Sequence, residues 1–250
     1  MSILVVKLGT EELCDESGRL DQTVFDDVAG QINAARKLGV QTIVVSSGAI
    51  RAGREQAAFA KLSPDLNKKE FAGIGSPYLL NRWIEAFVPR LISQVWVTHA
   101  NWEDNSEKES IRRSLLDFLA WDVIPIVNEN DVVSDKEISL MEKKISENDQ
   151  LAKLIAVHVK ANGLLILTKV GGVYAQDPKV NPEADFYEEI DAWKVPPTLN
   201  FSKAEQAAEA FRSGVQRVAI ADLQEDVVIR FIRGEKVGTA ISKNTRLKTP

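Results

Sequence analysis

Short apolar runs rich in β-branched residues alternate along the chain with segments whose apolar residues recur at helical spacing. The short runs predict seven strands, at residues 3–6, 42–45, 95–98, 123–127, 164–167, 218–221 and 237–241. Helices are predicted at 24–35, where Gly39 follows as a stop signal, and at 110–119 and 151–159. This alternation favours an α/β fold, a three-layer αβα sandwich with an open, mainly parallel sheet.

The 250 residues contain no repeat, no low-complexity segment and no linker long enough to mark a domain boundary. A hydrophobic fraction of 44% is sufficient for a sizeable core. The segment 171–185, rich in Gly, Pro, Asn and Asp, is the best candidate for a hinge between two lobes. We therefore predict one domain, 1–250, with a first half of about 1–160 and a second half of about 161–250.

Composition argues against several kinds of partner. A net charge of -5 and a pI near 5.3 provide no basic surface for nucleic acid or for an anionic membrane. No apolar stretch approaches the roughly 20 residues of a membrane span, and no charged segment precedes the first apolar run, so we expect a cytoplasmic protein. Cys14 is the only cysteine, and His99 and His158 lie far apart, which predicts no intrachain disulfide, no metal site and two structural histidines.

Polar residues collect where the predicted strands end. The first strand leads into Lys7 and Gly9, and the second leads into Ser47 and Gly48 ahead of a helical segment. Ligands of open parallel sheets bind beyond the carboxyl ends of the strands, and a turn before a helix can bind an anion through backbone N–H groups. Each turn alone is more often structural. Together with the polar run N-E-N-D at 128–131, they predict a site for a small anionic substrate and a polyphosphate.

Seven motifs occur in a recognisable order. They are V-K-L-G-T at 6–10, S-G-A-I at 47–50, E-D at 103–104, N-E-N-D at 128–131, N-D at 148–149, L-T at 167–168 and G-V-Y-A-Q-D-P at 172–178. Through them the chain resembles the glutamate 5-kinases of the amino acid kinase superfamily. The resemblance implies ATP-dependent phosphorylation of the L-glutamate γ-carboxylate, the first step of proline synthesis. It also implies glutamate on the first half, nucleotide with its Mg²⁺ on the second half, a homo-oligomer, and, at this chain length, no PUA domain.

The resemblance implies roles for individual residues. Lys7 and Lys203 would act on the transferred phosphate, and Asp149 would orient the two lysines. Glutamate would be held by Ser47, Gly48, Asp131 and Asn148. The nucleotide would be bound by Lys7, Gly9, Thr168, Lys169 and Lys203. These roles suit phosphoryl transfer, which needs positive charge over the phosphate oxygens and, with an ionised carboxylate as nucleophile, no general base.

The nucleotide half departs from the family pattern. A G-T-G-G-M loop ahead of a lysine is replaced by K-V-P-P-T-L-N-F-S-K at 194–203, in which two prolines supply no N–H groups. Lys203 is retained, and S-K-A-E at 202–205 predicts a capping box that puts it in the first turn of a helix ending near Ser213. Lys169 stands where the family has a carboxylate, so it either adds charge for the phosphates or marks a lost nucleotide site.

Three alternatives stay open. The chain could be a catalytically weakened amino-acid-binding homologue with a regulatory or subunit role, or another enzyme of the superfamily. The charged segment 132–145 could be a lid or a solvated insertion, of which we favour the insertion. The apolar positions of segment 71–87 could support a homo-oligomer or pack in the core. These positions are Ile74, Tyr78, Leu79, Trp83 and Phe87.

Overall fold

The computed structural model describes residues 2–62, 65–133, 147–198 and 201–243. The strands are β1 Ser2–Leu8, β2 Val40–Ser46, β3 Ile92–Val97, β4 Ile124–Glu129, β5 Gly163–Leu167, β6 Val173–Tyr174, β7 Phe186–Tyr187, β8 Glu189–Asp191, β9 Arg217–Ala221 and β10 Thr239–Ser242. The α-helices are α1 Gln22–Lys37, α2 Ala49–Phe59, α3 Lys68–Phe87, α4 Asn105–Ala120, α5 Glu147–His158, α6 Phe201–Arg212 and α7 Val227–Arg233. A 3-10 helix covers His99–Trp102.

Eight strands form one sheet in the order β3-β4-β2-β1-β5-β9-β10-β8. The first six strands in this order, β3, β4, β2, β1, β5 and β9, are mutually parallel. Strand β10 is antiparallel to β9, and β8 runs parallel to β10. All seven predicted strands are present, with ends shifted by at most three residues. The mainly parallel sheet with helices on both faces confirms the predicted fold class.

Alternation along β1 divides the core into two layers. Leu4, Val6 and Leu8 pack on the side of α1, α2, α3 and α7. Ile3 and Val5 pack on the side of α4, α5 and α6. Successive side chains of a strand point to opposite faces, so the residue between Val6 and Leu8, a lysine, is directed to the layer of α5 and α6.

The starts of two predicted helices were wrong. Helix α5 begins at Glu147, four residues before its predicted start. The prediction placed the start of α4 at residue 110, whereas the helix begins at Asn105. The carboxylate of Asp104 caps it by accepting hydrogen bonds from the backbone N–H groups of Ser106, at 2.7 Å, and Glu107, at 2.9 Å. The first turn is polar and exposed, so it carries no apolar periodicity, and only the cap marks it in the sequence.

The two halves of the chain meet in the middle of the sheet. Strand β1 pairs with β5 in register from Leu4 with Gly163 to Leu8 with Leu167. The segment 171–185 is bounded instead by a separate antiparallel ribbon, in which β6 pairs with β7. Hinge motion at this segment stays a prediction.

Helix α3 is only partly a core helix. Leu79, Trp83 and Phe87 are buried against α1 and the sheet. Tyr78 and Ile84 keep 49% and 43% of their surface exposed. Core packing therefore accounts for Leu79, Trp83 and Phe87. Tyr78 and Ile84 are exposed, and a homo-oligomer formed through this helix stays a prediction. None of the described helices is long and apolar enough to cross a membrane.

Helices α2 and α3 cross with their backbones in contact. A Cβ on Gly53 would overlap the backbone of Phe71, and a Cβ on Gly75 would overlap Ala49 O and Gly53 N. Glycine is thus required at this crossing for close approach. The crossing fixes the start of α2, which directly follows the Ser47-Gly48 turn.

Candidate active site

The carboxyl ends of five neighbouring parallel strands, β4, β2, β1, β5 and β9, form one edge of the sheet. The predicted site residues of the first half of the chain lie at this edge, in β1 and in the turns after β2 and β4. The predicted nucleotide-binding residues Thr168 and Lys169 follow β5 at the same edge. Lys7 lies inside β1, one residue before its end, and not beyond the strand as predicted. Asn148 and Asp149 are the second and third residues of α5, and Lys203 is the third residue of α6.

Asp149 joins two lysines from opposite halves of the chain. Its Oδ1 lies 2.7 Å from Lys7 Nζ and accepts a hydrogen bond from Lys203 Nζ at 3.3 Å. Its Oδ2 lies 3.2 Å from Lys203 Nζ, without a hydrogen bond among the described residues. The side chains of Lys7 and Asp149 are only 3% and 1% exposed, and that of Lys203 is 15% exposed. The structure thus brings the three predicted catalytic residues together.

Burial and charge act on these three groups in different directions. Burial lowers the pKa of Lys7, but the carboxylates of Asp149 and Glu12 act in the opposite direction, and the net effect raises that pKa above 10.5. Burial likewise opposes ionisation of Asp149, yet Lys7 and Lys203 hold its pKa below 3.8. The pKa of Lys203 is lowered, by burial first and then by repulsion from Lys7. Lys203 is therefore the weaker holder of its proton.

A second polar pair lies at the start of α2. Asn148 Nδ2 donates a hydrogen bond to Ser47 Oγ at 2.7 Å, while Asn148 Oδ1 is buried and has no partner in the described part of the chain. Gly48 has a φ of 114° and caps α2 without a side-chain hydrogen bond. The positive φ favours glycine. The first N–H groups of a helix have no partner within the helix. At the start of α2 they lie beside a hydroxyl and an amide, an arrangement that suits a carboxylate ligand.

The polar run after β4 is partly strand. Asn128 and Glu129 belong to β4 and are buried, which corrects the expectation that all four residues follow the strand. Glu129 Oε2 lies 3.7 Å from His99 Nε2. The chain turns at Asn130, whose N–H donates to Val97 O at 2.7 Å. Asp131 follows in this turn, at the end of the strand next to β2.

A cleft of about 360 Å³ lies beyond β5 and β9. Its lining residues are Lys169, Val170, Gly171, Tyr174, Phe186, Asp222, Gln224 and Gly238. The Tyr174 and Phe186 rings lie 5.0 Å apart, so the cleft offers aromatic surface next to polar groups. Thr168 at the end of β5 is buried, and its N–H donates to Ala221 O at 2.7 Å.

Glu12 lies next to the predicted site residues, and the sequence analysis missed it. Its Oε1 accepts a hydrogen bond from the backbone N–H of Lys169 at 2.8 Å. A Cβ on Gly9 would overlap its Oε2. Lys169 Nζ donates to Cys14 O at 3.0 Å, so this lysine is bound to the turn after β1 while it also lines the cleft. The only signal in the sequence was two consecutive acidic residues behind K-L-G-T.

The predicted capping box on α6 was wrong. The helix begins at residue 201, so Ser202 lies inside it, and the Ser202 Oγ is buried without a hydrogen-bond partner among the described residues. Residues 199–200 of the departing loop and most of the charged segment 132–145 lie outside the described residues. Lys203 is nevertheless in the first turn, as predicted.

The two histidines are embedded in packing contacts. The ring of His158 meets Trp102 edge-on at 5.9 Å, and His99 faces Glu129. Within residues 2–62, 65–133, 147–198 and 201–243, no group of three or more His, Cys, Asp or Glu side chains could hold a metal ion.

Comparison with known proteins decides the family. Residues 2–222 match the model of the amino acid kinase family. The chain belongs to the amino acid kinase family. A glutamate 5-kinase of Herpetosiphon aurantiacus is 33% identical over 98% of this chain and 70% of its own length. A glutamate 5-kinase of Proteus mirabilis is 34% identical over 94% of this chain and 67% of its own length.

Solved structures share the fold of this amino acid kinase chain. Carbamate kinase from Giardia lamblia bound to AMP-PNP superposes with a TM-score of 0.69 at 16% identity, over 97% of this chain and 99% of that one. UMP kinase from Bacillus anthracis superposes with a TM-score of 0.64 at 17% identity, over 98% of this chain and 97% of that one. At these identities the likeness extends to the fold alone.

Proposed function

We propose that this amino acid kinase transfers the γ-phosphoryl group of ATP to the γ-carboxylate of L-glutamate. The observation that carries the proposal is the group of Lys7, Asp149 and Lys203. It lies between the Ser47-Gly48 turn and the cleft that contains two aromatic rings. The relatives that cover nearly the whole chain are glutamate 5-kinases, which supports glutamate as the substrate.

The array suits the chemistry of carboxylate phosphorylation. A γ-carboxylate oxygen, already ionised at neutral pH, attacks the γ-phosphorus, so no base has to remove a proton. The new carboxyl O–P bond forms as the bond from phosphorus to the β,γ-bridging oxygen breaks, and ADP leaves with the electron pair. Lys7 and Lys203 stabilise the charge that spreads over the phosphoryl oxygens, and Asp149 holds both ammonium groups in place.

The substrate amino acid is bound by the turns after β2 and β4. In this proposal the Ser47 hydroxyl, Gly48 and the start of α2 bind its α-carboxylate, together with Asn148. Asp131 binds its α-ammonium group. This orientation directs the γ-carboxylate towards Lys7, because the ends of β2 and β1 are adjacent in the sheet.

The nucleotide is bound on the side of β5 and β9. Thr168, Lys169 and Gly9 lie next to its phosphates, and its base enters the cleft beside Tyr174. Mg²⁺ would arrive on the phosphates, where it neutralises charge, because Asp149 is occupied by two lysines and the described residues offer no carboxylate cluster.

A coupled assay for ADP release tests the proposal, with glutamate and ATP against ATP alone. We expect glutamate-dependent turnover, and a loss of about 10²–10³ in kcat for Lys203→Ala. Lys236→Ala is the matched control, because the Lys236 side chain is 81% exposed and forms its ion pair with Glu188, which is also exposed. Glutamate binding without turnover by the wild type would instead favour the weakened amino-acid-binding homologue.

A further inference from the structure

A carboxylate of the chain itself lies beside the catalytic lysine. Glu12 Oε1 accepts the N–H of Lys169 at the end of β5. On the other side, Oε2 lies against Gly9, at a place where a Cβ on that glycine would also come within 3.3 Å of Lys7 Nζ. The Glu12 carboxylate therefore spans the ends of the neighbouring strands β1 and β5, on the side of the site that faces the cleft.

This carboxylate changes the charge of the site. Lys7 and Lys203 carry two positive charges, of which Asp149 offsets one. Glu12 attracts both lysines electrostatically. With Glu12 in place these four groups are neutral overall, so they offer an arriving phosphate chain no net positive charge, and the Glu12 carboxylate repels it.

Glu12 also uses a donor that a phosphate would need. The backbone N–H of Lys169 points to the Glu12 carboxylate at 2.8 Å, and this N–H follows directly after the strand that leads into the cleft. An anion can accept this bond only after the carboxylate has left it. The two anions thus compete for the same hydrogen bond as well as for the same positive charges.

The backbone of the turn that carries Glu12 is held in place, while the Glu12 side chain is able to move. Leu13 and Cys14, the next two residues, are buried in the core. Lys169 Nζ holds Cys14 O at 3.0 Å, and Leu13 N–H donates to Thr10 O at 3.3 Å. Glu12 itself is only half-buried, so its side chain can rotate towards solvent without unfolding the turn.

We propose that Glu12 is an internal anion that occupies the phosphate position in the free protein and is displaced when the nucleotide binds, so that Glu12 sets the affinity for the phosphate chain. The inference rests on the proposed function for the location of the phosphates. It assigns to this carboxylate a specificity role towards polyphosphate ligands.

The test is calorimetric binding of inorganic tripolyphosphate and of AMP-PNP to the full chain, each with and without Mg²⁺. Glu12→Gln keeps the shape and the acceptor for Lys169 N–H but removes the charge. We expect about tenfold tighter binding of both ligands, with or without the metal. Glu11→Gln is the matched control, because it removes the same charge from the same turn at an exposed position, and it should change affinity less than about twofold.

Unchanged or weaker binding by Glu12→Gln would overturn the proposal. Weakening only in the presence of Mg²⁺ would identify Glu12 as a metal ligand instead. If the wild type turns over glutamate and Glu12→Gln binds no more tightly, the inference fails and the proposed function stands. If the wild type shows no turnover and Glu12→Gln still binds tripolyphosphate more tightly, the inference stands and the proposed function fails.

Discussion

Replacing Asp149 by asparagine removes one buried negative charge and leaves two buried lysines without their shared partner. The change preserves side-chain volume, so packing against β1 is retained. Breaking a buried ion pair by removal of one partner typically costs about 3–5 kcal/mol, because an uncompensated charge remains in the interior. For a domain of this size about 2–4 °C are lost per kcal/mol, so the melting temperature should fall by about 6–20 °C.

The loss of stability in Asp149→Asn depends on pH, because folding changes the pKa of both Asp149 and Lys7. The folded pKa of Asp149 is lowered, so its contribution is present above its ordinary pKa of 3.8 and is lost as the pH falls through the folded value. The folded pKa of Lys7 is raised, so its contribution is present below 10.5 and is lost as the pH rises through the folded value. The deficit of Asp149→Asn should therefore be largest between about pH 4 and 10 and should shrink in acid.

Urea unfolding followed by circular dichroism across this pH range measures the deficit. Asp122→Asn is the control, because Asp122 also binds two cations, Arg36 and Arg90, but is 51% exposed. Such surface pairs contribute about 0–1 kcal/mol, and asparagine tolerates the φ of 61° at this position. Equal free energies of unfolding of the two variants at pH 7 would refute the reasoning that Asp149 offsets the free-energy cost of burying Lys7 and Lys203.

Four further predictions concern other parts of the chain. Lys7→Ala and Lys203→Ala should each lower kcat by about 10²–10³, and steady-state kinetics of the double variant should show non-additive losses, whereas independent losses would separate their roles. Asp131→Asn should weaken glutamate binding about tenfold or more in calorimetry without affecting AMP-PNP, and an unchanged glutamate affinity would remove this residue from the substrate site. Gly53→Ala should cost about 1–3 kcal/mol in urea unfolding, whereas Gly30→Ala, with open space around it, should stabilise by about 0.5–1 kcal/mol; matching midpoints would contradict the close crossing. Light scattering at micromolar concentration should find a homo-oligomer, which a 27.7 kDa species would reject.

The fold could be predicted because the central strands are buried on both faces. Strands β1, β2, β4 and β5 are covered by helices on each side, so their sequences are nearly continuous apolar runs that end abruptly. The start of α4 could not be predicted from periodicity, because a capped, solvated turn has no buried face. The small ribbon of β6 and β7 has two residues in each strand, which is too short for any alternation to register.

The motifs predicted which residues lie close together at the ends of the strands and the starts of the helices, while their roles stay predictions. A residue whose position depends on the conformation of one turn was missed. Lys7, Asp149 and Lys203 follow from the motif order, and they meet in the structure. Glu12 was missed because two adjacent acidic residues look alike in sequence, and only the conformation of the turn directs the second of them to Gly9.

The burial of Lys7 is itself an argument for function. Its neighbours on the same face of β1, Ile3 and Val5, pack among apolar side chains, and an apolar residue at position 7 would continue that layer. Buried ion pairs are often no more stabilising than well-packed apolar groups, so the gain from the pair with Asp149 does not explain why a lysine stands there. The same charge becomes valuable when a phosphoryl group develops charge beside it, since a fixed ammonium in a poorly solvated site needs no reorganisation at that moment. In the proposed function, a lysine from the first half and a lysine from the second half, both held on one carboxylate, thus contact the substrate and the nucleotide together.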